Sequence, residues 1–199
     1  MSGLPDVLRF DDATHTYTVG GIVRPSVTQV LSRMHDFAGV PLDVLEAAQE
    51  RGTAVHLATQ YHDEHDLDES SLDALVAGYL CGWKRFTADH APSWTSIEAK
   101  GYSQRYGFAG TVDRRGALRH AARAIVDIKT SLQSHRVWGM QTAAYRQIAA
   151  EEDPAWALAR RFTVQLRADG TYSLLAWDDP DDWPAFLALI TLTNWSNKA

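Results

Sequence analysis

Two short β-rich runs lying close together, FAGTVDRRG and ARAIVDIKTS between Phe108 and Ser131, constrain this chain more than any other stretch. A small polar and alanine-rich connection joins them, which predicts two neighbouring strands of one sheet. Each run carries a carboxylate where strands ordinarily bury hydrophobic side chains. Asp113 follows Thr111 and Val112, and Asp127 stands between Val126 and Ile128. Side chains alternate with period two, so Asp127 and Lys129 share a face and Ile128 takes the other. Two carboxylates about 4 Å apart repel by about 4 kcal/mol at an effective dielectric of about 20, and desolvation adds several kcal/mol more. Two arrangements answer that cost. One is a divalent cation, Mg²⁺ or Mn²⁺, held by Asp113, Asp127 and a main-chain carbonyl as hard oxygen ligands. The other is a half-buried Asp–Lys pair that only fixes strand register.

At 199 residues the chain is expected to form a single domain over 1–199, burying about 70% of its unfolded surface. A hydrophobic share of 45% and a charged share of 22% place it with globular rather than disordered chains. No apolar run approaches the ~18 residues that span a bilayer, and MSGLPDVLRFDD has neither a basic region nor an apolar signal core. A cytoplasmic protein with no membrane partner is therefore expected. Cys81 is the sole cysteine, which excludes an internal disulfide, a Cys-based zinc finger and a four-cysteine iron–sulfur cluster. Neither a Walker loop nor a G-x-G-x-x-G run is present, so no built-in ATPase is expected.

The net charge of −6 conceals an asymmetry. Lys100 to Arg136 holds eight basic residues against two acids, Asp113 and Asp127. That distribution predicts a positive field around the two carboxylates, as a polyanion-processing enzyme requires; Arg51, Arg114 and Arg115 are candidate DNA-binding or site-organising residues. A set of solubilising surface arginines is the alternative.

Residues 8–23 predict a small β-meander, and Ser26 with Gln29 forms a capping box opening a helix over PSVTQVLSRM. Val44, Ala48, Val55 and Ala58 support a second helix over 41–62, interrupted at Arg51-Gly52-Thr53, with Gly52 admitting a close backbone. His56 lies one turn beyond, either a hydrogen-bonded structural histidine or a metal ligand. HDEHDLDES, dense in charge without apolar anchors, predicts a solvated loop. A third helix over 71–90 presents Leu72, Leu75, Val76, Tyr79, Leu80, Trp83 and Phe86 as core, with Cys81 packed beside them. Trp94 to Tyr106 reads as a strand pair carrying Glu98, either a further site acid or an exposed strand residue. In the helix predicted over 135–150, Gln141 and Tyr145 are one turn apart and point the same way. RRFTVQLRADGTYSLLAW predicts a hairpin around Asp169-Gly170, followed by a last helix burying Trp183, Phe186, Leu187 and Ile190.

Taken in order, RGTAVH, GTVD, DIK and QTAAY resemble the motifs of the PD-(D/E)XK nuclease superfamily, in its RecB-type exonuclease branch. They span about Pro25 to Tyr145. The resemblance implies an α/β restriction-endonuclease-like core, a central mixed β-sheet flanked by helices, with the catalytic core over about 25–150 and a C-terminal hairpin and helix over 160–195. It implies metal-dependent DNA hydrolysis, with Mg²⁺ as cofactor and Mn²⁺ as substitute. By the same resemblance His56, Asp113, Asp127 and the Ile128 carbonyl are the metal ligands, and Asp113, Asp127 and Lys129 the catalytic residues. Gln141 and Tyr145 organise DNA at the site, and Glu98 falls near a variable acidic position. Many relatives have Glu where Asp127 stands, and some carry four cysteines or a fused helicase, both absent here. The implied protein is a standalone exonuclease of phage or mitochondrial type, acting in recombination, repair or phage DNA processing. Its implied partners are DNA and a recombination or single-strand-binding protein. A catalytically silent DNA-end-binding module and a structure-specific endonuclease use the same core and stand as alternatives.

Overall fold

The computed structural model describes residues 7–34 and 40–196; Met1 to Asp6, part of the stretch read for its lack of a signal core, lie outside them. The chain opens with an antiparallel meander of β1 (Leu8–Asp11), β2 (Thr16–Val19) and β3 (Ile22–Arg24), as the alternating runs predict. Asp11 closes the first turn by accepting from the main-chain N–H groups of Ala13 and Thr14 at 2.9 and 3.2 Å. Ser26 and Gln29 form the expected reciprocal cap on α1 (Val27–Leu31), whose Val27, Val30 and Leu31 are buried.

Two longer helices follow, α2 (Leu42–Asp63) and α3 (Ala74–His90). Contrary to expectation α2 runs unbroken through Gly52, where an added Cβ would meet only Thr130 Oγ1 at 4.0 Å. Its first half also stays exposed, with Val44 52% accessible, and burial begins at Val55 and Ala58. The core stripe of α3 is Val76, Tyr79, Leu80, Trp83 and Phe86. Leu75 falls outside it, 76% exposed in the first turn, and Cys81 is likewise exposed rather than packed.

The main sheet has five strands in chain order: β4 (Ser93–Ser103), β5 (Phe108–Leu118), β6 (Ala121–Lys129), β7 (Arg160–Leu166) and β8 (Tyr172–Ala176). The region expected as a strand pair is the single 11-residue β4. All neighbours are antiparallel except β6 and β7, which run parallel because α4 (Val137–Glu152) crosses between them. This is an α/β architecture with a mixed sheet covered on both faces. α2 and α3 pack with Ala124, Val126 and Ile128 on one side. α1, α4 and α5 (Asp182–Ser196) pack with Phe108, Val112 and Ile125 on the other. No described helix is long and apolar enough to cross a membrane.

The β7–β8 turn lies directly on α3, because Gly78 and Gly82 bring no side chain between backbones. A Cβ at Gly78 would collide with the Ala168 carbonyl, and one at Gly82 would sit 2.8 Å from the Thr171 carbonyl oxygen. Gly78→Ala is expected to destabilise the protein by about 1–3 kcal/mol through overpacking, read as a lower urea midpoint. An unchanged midpoint would show that the hairpin does not rest on the helix there.

Candidate metal centre

Strands β5 and β6 fork at the site. Their ladder runs as far as Arg114 opposite Val126, and beyond that pair β6 continues with β7 to Lys129 opposite Gln165. Inside the fork the Asp113 carboxylate takes the place of a strand, its Oδ2 accepting the Ile128 N–H at 2.7 Å. A main-chain donor that would otherwise lack a partner is satisfied, and the carboxylate is fixed.

Strand β5 also changes sides here. Gly110 faces α1 and α4, an added Cβ lying 3.0 Å from Tyr145 Cε1 and 3.1 Å from Val27 Cγ2, and Val112 packs into the same layer. Arg114, two residues on, reaches Asp63, Thr59 and Trp83 in the opposite layer. On β4, Glu98 lies between the residues paired with Val112 and Arg114, and its φ of 47° is left-handed. A glutamate held there costs about 1–3 kcal/mol, which the surrounding contacts must offset.

Gly52, His56, Thr59 and Asp63 form one face of α2, and His56 projects from it into the fork. Its Nε2 donates to the Ile128 carbonyl at 3.1 Å, which leaves Nδ1 facing Glu98 Oε1 at 3.5 Å and Asp113 Oδ2 at 3.7 Å. Ligand atoms of His56, Glu98 and Asp113 all lie within 4.8 Å of one another. Ligands around one divalent ion at about 2.0–2.4 Å are at most about 4–5 Å apart, so these three fit a single cation. Fixing one ring nitrogen on a carbonyl while the other faces the ion is the usual orientation of a ligating histidine.

Asp127 is fully buried and stands outside that trio, held by Lys129 with Nζ 3.1 Å from Oδ1 and 2.9 Å from Oδ2. The second contact is an ion pair without hydrogen-bond geometry, so Oδ2 is a buried oxygen with no hydrogen-bond partner among the described residues. Such an oxygen is costly unless a cation or water serves it. The Ile128 carbonyl, expected to face an ion, meets His56 instead.

Charge balance points the same way. Glu98, Asp113, Asp127 and Asp63 set four carboxylates against two fixed cations, Arg114 and Lys129. With His56 neutral, the deficit equals one divalent cation. Without an ion, protons fill it. Burial alone would depress the His56 imidazole, but Asp113 and Glu98 outweigh it and raise it to about 9. Burial lifts Asp113 to about 7, opposed by His56 and reinforced by the charges of Asp127 and Glu98. Burial also works to raise Glu98, yet His56 and Arg114 hold it below the usual carboxylate range.

A cavity of about 260 Å³ brings His56, Asp113, Asp127 and Lys129 together with Gln141 and Tyr145 from α4. Gln141 Nε2 donates to Tyr145 Oη at 2.9 Å, so the phenol proton is left for another acceptor. Burial, then the charges of Asp127 and Asp113, raise that phenol well above its ordinary range and keep it protonated. Tyr17, whose Oη lies 2.6 Å from Thr111 Oγ1, lines the same space from the meander.

The expected arginine contacts are elsewhere. Arg114 is fully buried, pairing with Asp63 at 2.7 Å and Glu98 at 3.0 Å, so it braces the centre rather than meeting a ligand. Arg115 pairs with Glu152, and Arg51 lines a separate groove between α2 and α3. Arg119 sits in the β5–β6 turn, about 20 Å along the strand from Asp113, and Arg123 near the start of β6, about 13 Å along it. The predicted positive field around the carboxylates is thus largely neutralised. Sequence reasoning missed Asp63, placed in a solvated loop, and Trp83, whose Nε1 donates to Asp63 at 3.0 Å. The spacing from Gly52 through His56 and Thr59 to Asp63 was the available signal.

No protein-family model matches this chain, and no curated protein matches it significantly. The likeness to RecB-type nucleases therefore rests on the four motifs.

Arg114→Ala is expected to cost about 3–5 kcal/mol by stranding Asp63 and Glu98, measured by urea unfolding. A loss under about 1 kcal/mol would show that the brace is not needed. The raised His56 contributes stability that is complete below its unfolded value of 6.5 and is lost as pH rises through about 9. Asp113, raised from 3.8, acts in the same direction, its contribution lost as pH rises through about 7. Cation-free protein should lose stability between these limits on going from pH 6 to 9, and Mn²⁺ should reduce that loss. Calorimetric titration of Mn²⁺ at pH 7 in buffers of different ionisation heat should show release of about one to two protons. Binding without proton release would contradict this balance.

Proposed function

We propose that this chain is a Mg²⁺- or Mn²⁺-dependent deoxyribonuclease of PD-(D/E)XK type, hydrolysing phosphodiester bonds from strand ends as the RecB-type exonucleases it resembles do. The observation that carries this reading is the convergence of His56, Glu98 and Asp113 on one ion-sized space beside the Asp127–Lys129 pair. His56, Glu98 and Asp113 would hold the ion, with Asp127 Oδ2, ion-paired to Lys129 but without a hydrogen bond among the described residues, as a further donor. When bound, such an ion supplies Lewis acidity towards phosphate oxygen and a water of lowered pKa.

The remaining roles belong to the chain itself. Lys129, its ammonium fixed on Asp127 and its side chain 23% exposed, holds the attacking water in line with the scissile phosphate. His56 is tied to a carbonyl through Nε2 and so orients rather than shuttles protons. Tyr145, with its proton free, and the hydroxyls of Tyr17, Ser26 and Thr28 line the cavity as donors for phosphate oxygens whose charge grows during displacement. A binding-only module gains nothing from four clustered carboxylates, which would repel a polyanion. Recombination, repair or phage DNA processing is the setting this activity suits.

Linear DNA incubated with Mg²⁺ should be degraded, and Asp113→Ala, Asp127→Ala and Lys129→Ala should each lower the rate by about 100-fold or more. Unchanged degradation in all three variants would overturn the mechanism. DNA binding without cleavage would favour the silent module, and cutting of closed circles would identify an endonuclease.

A further inference from the structure

A second cavity, of about 450 Å³, adjoins the first at His15, His56 and Thr111, which line both. Its size lies within the ~300–1,000 Å³ typical of small-ligand pockets. Its walls come from the β1–β2 hairpin and from α2. Phe10 and Leu57 supply the apolar lining, and Leu57 is 46% exposed on a helix that buries its neighbour Ala58. Phe10 is held in place rather than loose: the His15 ring meets it edge-on at 5.3 Å and Tyr17 lies 4.6 Å away. His15 takes a left-handed φ of 52° in the turn that Asp11 closes.

Charge decides what belongs there. Lys100 is opposed by Asp12 and Glu98, so the cavity does not favour a phosphate. A flat, uncharged group with apolar faces and a polar edge suits Phe10, Leu57 and the amide of Gln60. Lys100 Nζ now rests 5.0 Å from the centroid of the Phe10 ring. An exposed cation–π contact is weaker than stacking of a base on an aromatic ring, so a base displaces the ammonium and frees it for an adjoining phosphate.

We infer that this cavity is a nucleobase subsite, taking the base next to the phosphate at the metal centre, stacked on Phe10 and covered by Leu57. The inference rests on the nuclease reading and adds a determinant on the meander, outside the four motifs. It is tested with a single-stranded hexadeoxynucleotide and six versions of it, each lacking one base, titrated by fluorescence anisotropy with Ca²⁺ present. Base removal at one position should weaken binding about tenfold. In Phe10→Ala and Leu57→Ala that loss should shrink to about twofold or less, Leu57→Ala being the safer variant because its side chain is exposed. A flat profile, a loss unchanged in both variants, or no binding of any oligonucleotide would overturn the subsite. A flat profile in protein that still degrades DNA leaves the nuclease reading standing. A position-specific loss in protein that never cleaves removes hydrolysis and keeps the subsite.

Discussion

One hydrogen bond, from the Ile128 N–H to the Asp113 carboxylate, organises the rest of this molecule's centre. It lets β5 and β6 separate without leaving that main-chain donor unpaired, and the gap it props open admits the His56 imidazole from α2. A continuous ladder would close that gap and set Asp113 directly opposite Asp127 on one face of the sheet, with no room for the imidazole between the strands. The change of side along β5 between Val112 and Arg114, and the left-handed Glu98 opposite, are further parts of the same interruption. Regular strand geometry is given up over a few residues so that groups from three strands and a helix meet.

What gathers there is an excess of negative charge, and the protein manages it in two shells. Arg114, stacked over Trp83 and braced by Asp63, answers Glu98 from behind. Lys129 answers Asp127 from the cavity side. The charge still outstanding is met by protons on His56 and Asp113, which explains why both groups are shifted towards their protonated forms. A divalent cation replaces those protons, so ion binding, protonation and stability are one linked equilibrium.

Much of this was legible in the sequence because it follows local rules. Alternation around Asp127 and Lys129, the Ser26–Gln29 cap and the Asp169-Gly170 hairpin are each fixed within a few residues. The meeting of His56 with Asp113 is not local, and only the motif order anticipated it. What stayed hidden are places where tertiary context overrides pattern. Arg114 looked like a surface cation because period-two alternation gives no warning of a strand that changes sides. Asp63 looked solvated because its partner lies 51 positions away. Glu98 could not be assigned because its orientation depends on a left-handed backbone that nothing in IEAKG demands.

The central claim is that His56, Glu98 and Asp113 enclose a single divalent ion. Anomalous diffraction from crystals grown with Mn²⁺ tests it most directly. The account predicts one strong peak between His56 Nδ1 and the carboxylates of Glu98 and Asp113, about 2.0–2.3 Å from each donor, and its loss in Asp113→Ala. A protein saturated with Mn²⁺ that shows no peak in the fork, or a peak only at surface carboxylates, would contradict it.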